Sequence, residues 1–201
     1  MKSKNIFVIA AAVVLIILVA LVGTRLFPSA YTYQGSLIDP ALPAFQFELY
    51  QANGEAFNLA DQQGKVVLIF FGYANCPDVC PATLAEFKQV YETLGDQADQ
   101  VRFVFITIDP ERDTPDAIDT YVHAFNPNFI GLSGTEEELQ PVWDAFFVYR
   151  EKVDTDSALG YEMNHSTRVI VIDKNGNFRM TFPYGMAPQA MADDIVHLLS
   201  E

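Results

Sequence analysis

The sequence predicts an α/β domain in which helices flank a mixed central sheet, and three observations predict it. A wholly apolar run, Val66 to Phe71, reads as a strand buried on both faces. A helical pattern follows it, then a second apolar strand and a second helix, which is the β-α-β-α order of a parallel sheet with crossovers. Nearer the C-terminus, Arg168 to Ile172 and Phe178 to Phe182 flank the turn Asp173-Lys174-Asn175-Gly176. A hairpin there adds antiparallel pairing to the sheet.

The elements follow in order. Ile6 to Val22 carries no polar side chain, follows Lys2 and Lys4, and ends at Gly23-Thr24-Arg25. A helix needs about 17–25 apolar residues to cross a bilayer, whereas the apolar core of a cleaved signal is about 7–15 residues long. Pro28-Ser29-Ala30 is a poor cleavage site. Residues 1–27 are therefore expected to be an uncleaved transmembrane anchor helix. The lysines would keep the N-terminus in the cytoplasm and leave the rest of the chain periplasmic or otherwise extracytoplasmic. Residues 28–44 read as a tether or extended segment, because Pro28, Gly35, Pro40 and Pro43 rule out a helix. The folded domain is expected over 45–201.

Within it, Phe45, Phe47 and Leu49 alternate as in a half-buried strand, and Ala56 to Leu59 returns after the turn at Gln51 to Gly54. After the buried strand Val66 to Phe71, a helix starting near Pro81 carries Leu84, Phe87, Val90, Tyr91 and Leu94 and stops at Gly95. Val101 to Ile108 is the next strand. Thr114 and Pro115 are the N-cap and first residue of a helix over 116–125. Phe129 to Leu132 is a short strand. Thr135 and Glu138 make a capping box before Leu139, Val142, Trp143 and Phe146. Phe147 to Val153 reads as extended, 154–164 as an irregular polar loop, and Pro188 to Leu199 as a final amphipathic helix.

The chain has 201 residues and a net charge of −14; without Lys2, Lys4 and Arg25 the remainder carries about −17. Nucleic acid is excluded as a partner, since binding it needs clustered Lys and Arg.

Both cysteines of the protein, Cys76 and Cys80, lie in the loop Tyr73-Ala74-Asn75-Cys76-Pro77-Asp78-Val79-Cys80-Pro81, between the buried strand and a helix. Strand, cysteine loop, helix is the active-site layout of the thioredoxin fold. A helix N-terminus favours thiolate over thiol. Cβ atoms at i and i+4 lie about 5–6 Å apart, so small adjustments reach either a disulfide or two bonds to one metal. A disulfide here would close a tiny loop and brace little of the fold, which points to metal or redox chemistry. The plainer alternative is that both cysteines pack as small apolar residues.

Of the three histidines, His123 and His197 sit near helix C-termini, where a solvated imidazolium is mildly stabilised. His165 lies between the polar loop and an apolar strand, where a fold-back would complete a site with the two thiols. Cys₂His offers three ligands, two of them soft. Structural zinc wants four, and no further cysteine exists, whereas Cu(I) accepts soft thiolates and imidazole suits copper in either oxidation state. Met163 and Met186 are better read as packing residues than as thioether ligands.

With these residues in view, the chain resembles the SCO/SenC/PrrC family of copper chaperones for cytochrome c oxidase assembly. The resemblance runs from about Gly35 to the C-terminus. It rests on Phe70-Phe71-Gly72-Tyr73 with Cys76-Pro77-Asp78-Val79-Cys80-Pro81, on Asp109-Pro110-Glu111-Arg112-Asp113-Thr114-Pro115, and on His165-Ser166. It implies a membrane-anchored, thioredoxin-like domain outside the cytoplasm. It also implies one copper ion, Cu(I) or Cu(II), bound by Cys76, Cys80 and His165. The implied recipient is the dinuclear copper centre of oxidase subunit II, with other copper chaperones or thiol reductants as further partners. Ala74-Asn75 departs from the family, in which Thr-His or Thr-Thr is common there.

Three alternatives remain open at this point. A thiol–disulfide reductase would attack with Cys76 and resolve with Cys80. A copper or redox sensor would use the same three residues. A peroxidase of the peroxiredoxin kind would want threonine where Tyr73 stands. The Asp109 to Pro115 motif is read as a structural cap rather than as a partner surface, with no catalytic role.

Overall fold

The structure is a computed structural model that describes residues 13–17, 31–155 and 160–201. The chain divides into two compact units, Met1–Thr32 and Tyr33–Glu201. In the first unit, residues 13–17 are helical with exposed apolar side chains. The rest of the expected anchor lies outside the described residues. Among those described, no helix is long and apolar enough to cross a membrane.

The second unit is built on a six-stranded mixed sheet. Its centre is β4 (Val66–Gly72), whose seven residues are all buried. β5 (Val101–Thr107) and β6 (Ile130–Leu132) extend the sheet in parallel on one side. β9 (Val169–Ile172), β10 (Asn177–Phe182) and β1 (Ser36–Pro43) extend it antiparallel on the other. The spatial order is thus β1-β10-β9-β4-β5-β6. Two short hairpins stand apart from this sheet: β2 (Glu48–Tyr50) with β3 (Ala56–Asn58), and β7 (Arg150–Asp154) with β8 (Tyr161–His165).

Successive residues of β4 face opposite sides of the sheet. Phe70 meets Phe105 (ring centroids 5.9 Å apart), on the face where helix α1 (Val79–Leu94) sets Phe87 against Phe103 and helix α2 (Pro115–His123) sets Tyr121 against Phe105. Phe71 meets Phe146, which also touches Phe47 and Phe178. Helix α3 (Glu136–Ala145) leads to Phe146, and helix α4 (Pro188–Ser200) packs beside α1. The expected caps are present: Thr114 accepts from the Ala117 N–H, and Thr135 and Glu138 form a reciprocal capping box. Asp173 shapes the β9–β10 turn by accepting from the N–H groups of Asn175 and Asn177.

Three expectations are corrected. The segment 28–44, read as a tether or extended segment, is extended where β1 runs along the sheet edge, so the sheet begins before residue 45. Prolines exclude a helix but not an edge strand, and the β1 register is broken between Leu37 and Leu42. Helix α1 starts at Val79, two residues before Pro81. The segment 154–164 is not irregular throughout, because Tyr161–His165 is a strand paired with β7; residues 156–159 lie outside the described residues. Glu162 and Asn164 hide the two-residue alternation of Tyr161, Met163 and His165.

The exit from α3 carries a stability prediction. The Val148 N–H donates to the Trp143 carbonyl and the Phe147 N–H to that of Asp144, the pairing of a Schellman cap. Phe147 holds its left-handed position at φ 55°, where glycine is usual, and the residue is 84% exposed. Phe147→Gly relieves the backbone strain and gives up little packing. It is expected to stabilise the fold by about 1 kcal/mol, measured as a higher urea midpoint; a lower one contradicts this account of the cap.

Candidate metal centre

Three segments converge at the C-terminal end of β4. The first is the loop after Gly72. Its Ala74 N–H donates to the Asp113 carboxylate (3.1 Å), and its Cys76 N–H to the Tyr73 carbonyl (3.2 Å). The second is the first turn of α1. Asp78 is its N-cap residue but supplies no side-chain cap; instead the Cys80 N–H points at the Cys76 sulfur (3.4 Å). The third is the end of β8, which delivers His165.

Cys80 is fully buried, while Cys76 and His165 are partly exposed. Cys80 Sγ lies 3.7 Å from His165 Nε2, and the three ligand atoms all lie within 4.8 Å of one another. Metal bonds of about 2.0–2.3 Å place two donors on one ion at most roughly 4.6 Å apart, so a small contraction closes the set. The imidazole is already oriented. His165 Nδ1 lies 2.7 Å from the Ser166 carbonyl, which can only accept, so Nδ1 carries a proton and Nε2 is the ring nitrogen turned to the sulfurs. Edge-on contacts with Phe70 and Tyr73 hold the ring.

The two thiols share one negative charge. Cys76 is held at about 3, far below the usual thiol value. The main cause is its hydrogen bond with the Cys80 thiol, with His165 and the backbone of Asp78 and Cys80 adding and burial opposing. Cys80 is pushed up by that same hydrogen bond, by burial and by the adjacent Cys76 charge. The accessible sulfur is thus the thiolate and the buried one keeps the proton, a division that suits both metal capture and nucleophilic attack.

Two supports were not legible as such in the sequence. Gly72 is one: a Cβ there would lie 2.7 Å from Cys80 Sγ and 2.9 Å from the Phe105 ring. Only glycine lets the buried sulfur rest against the strand end. The other is Asp113, which accepts from Thr107 Oγ1 (2.7 Å) and from Ala74 N–H, tying the cysteine loop to the end of β5. The sequence singles out the motif containing Asp113 but gives that residue no role. His123 and His197 stand away from the site, beside Asp119 and Glu201 respectively. Met163 is buried in the core.

Burial pushes Asp113 up from 3.8 to about 6, against the hydrogen bonds from Thr107 and Ala74, which lower it. Below about pH 4 the group is protonated whether the chain is folded or not. Between about pH 4 and pH 6 only the folded chain retains the proton, so this group's contribution to stability falls as pH rises through that window. Asp113→Asn is expected to flatten that part of the stability–pH curve, read from urea midpoints at a series of pH values. An unchanged slope assigns the titration elsewhere.

The SCO1/SenC family profile matches residues 38–200. An SCO2-like protein of Rickettsia conorii is 39% identical over 148 residues, covering 73% of this chain and 72% of the relative. A putative copper-binding protein of Stutzerimonas stutzeri is 34% identical over 138 residues, covering 67% of this chain and 66% of that one. The copper-bound structure of Bradyrhizobium japonicum ScoI superposes with a TM-score of 0.71 at 38% identity, covering 79% of this chain and 99% of that one.

Proposed function

The chain belongs to the SCO1/SenC family, and from that premise we propose that it is a copper carrier with a thioredoxin-like domain. One copper ion is bound by Cys76, Cys80 and His165 and delivered to a copper-requiring oxidase. The recipient we favour is the dinuclear centre of cytochrome c oxidase subunit II. The observation that carries this reading is the convergence of two sulfurs and an oriented Nε2 within 4.8 Å. Two soft thiolates and one imidazole suit copper better than a four-ligand structural zinc site. Among the described residues, no other group of three His, Cys, Asp or Glu side chains is placed to hold a metal ion.

In this reading Cys76 meets the ion first, because it is accessible and already charged. Cys80 loses its proton as the second sulfur bonds, so uptake releases a proton and is favoured as pH rises. Residues 1–27 would anchor the chain with the domain on the extracytoplasmic side, a proposal supported by Lys2 and Lys4 ahead of the apolar run.

The charge division between the sulfurs favours a second activity, reduction of the recipient's disulfide. The Cys76 thiolate attacks one sulfur of the recipient, and the other leaves as a thiolate. Cys80 then gives up its proton and attacks Cys76, releasing the second recipient sulfur; the chain is oxidised to a disulfide and the recipient gains two electrons. Metal analysis and spectroscopy of the reduced full chain, wild type beside His165→Ala, separate carriage from reduction.

A further inference from the structure

His165 is carried by a hairpin that is not part of the main sheet. Its distance from the cysteines therefore depends on what fastens β8 to the domain. Tyr161, Met163 and His165 share one face of that strand, since alternate residues point the same way. Met163 is buried, and His165 meets Cys80. Tyr161, four residues before the histidine, meets the motif after β5. Its hydroxyl donates to Asp109 Oδ1 (2.7 Å), its carbonyl accepts from Arg112 Nη1 (3.0 Å), and the Arg112 guanidinium lies 3.6 Å from its ring centroid.

Asp109 is 3% exposed and also bonds Arg112 Nε, so the three groups form one closed cluster rather than a surface ion pair. The same guanidinium lies 5.8 Å from the ring of Tyr73, the residue that packs against His165 and opens the cysteine loop. Four residues after Asp109, Asp113 holds the cysteine loop at Ala74. A single short loop, bridged internally by the Asp113 N–H to the Asp109 carbonyl (3.0 Å), thus grips both halves of the metal site.

We infer that Asp109, Arg112 and Tyr161 are positioning residues that keep His165 within reach of the two sulfurs. The inference rests on the copper-carrier reading and adds to it a mechanical role for Asp109-Pro110-Glu111-Arg112-Asp113. Arg112 acts through its planar fork and its stacking, which lysine cannot reproduce.

The test is a double-mutant cycle on copper retention. The reduced full chain is loaded with Cu(I) and challenged with a chromogenic Cu(I) chelator. Arg112→Ala is expected to weaken retention by about 10–100-fold, the range for losing a group that orients a metal ligand. Arg112→Lys should not restore it, and Tyr161→Phe should fall between. In a His165→Ala background, neither Arg112→Ala nor Tyr161→Phe should weaken retention further, and within each background neither substitution should move the midpoint potential of the Cys76–Cys80 pair. Equal losses in both backgrounds, or no loss beside an intact His165, overturn the positioning role. If His165→Ala itself leaves retention unchanged, the ligand set is wrong and the proposal falls with it. Should Arg112→Ala not fold, Tyr161→Phe removes one hydroxyl only and carries the same cycle.

Discussion

His165→Ala is expected to strip the chain of most of its copper affinity while leaving its dithiol chemistry in place. In the proposed site the imidazole is one of three donors, so its loss should exceed the about 10–100-fold cost of losing an outer-shell partner. The remaining pair keeps its charge arrangement, because Cys76 is lowered first by the hydrogen bond with Cys80 and only secondarily by His165. Reduced wild-type protein should take up one Cu(I) per chain and the variant should lose it readily to a competitor. Both should exchange disulfides at similar rates. Equal copper retention in the two proteins rules out the three-ligand site. Loss of disulfide exchange as well as copper would give the imidazole a part in activating Cys76.

Gly72→Ala is expected to damage fold and site together. The added methyl would meet a buried sulfur on one side and a buried ring on the other, at 2.7 and 2.9 Å. Both neighbours are confined, since Cys80 and Phe105 are 0% and 1% exposed, so a retreat by either is costly. Overpacking of this kind costs typically about 1–3 kcal/mol. The strand cannot move away either, because Gly72 pairs with Thr107 and its carbonyl accepts from the Ile108 N–H (2.8 Å). The sulfur is the part that yields, so copper retention should fall along with the melting temperature. A variant that melts lower but holds copper as the wild type does would show that Cys80 keeps its place while the ring moves.

The parts legible in the sequence are those encoded locally. The apolar run before the cysteines, the Thr114 cap, the Thr135–Glu138 box and the Asp173 turn each carry their signal within a few residues, and each appears where expected. The three candidate ligands also come together, though the pattern of His165-Ser166 alone does not dictate that. What stayed hidden depends on contacts between distant segments. Nothing near Arg112 announces that Tyr161, 49 residues later, will lie under its guanidinium. The polar residues between Tyr161 and His165 masked a strand whose inward face is set by Asp109, Arg112 and Cys80. Gly72 reads as the end of a strand until the sulfur beside it is seen. β1 was obscured by its prolines, which an edge position tolerates.

The separation of the β7–β8 hairpin from the six-stranded sheet bears on how cargo leaves. Two of the three candidate donors lie in the loop and first helical turn that follow the central strand, and the third on a hairpin outside the main sheet. For a copper carrier, release would then begin with the hairpin loosening at its Tyr161 fastening. That local opening costs less than unravelling the centre. On the copper-carrier reading, an acceptor would displace the one nitrogen first, while both sulfurs still hold the ion.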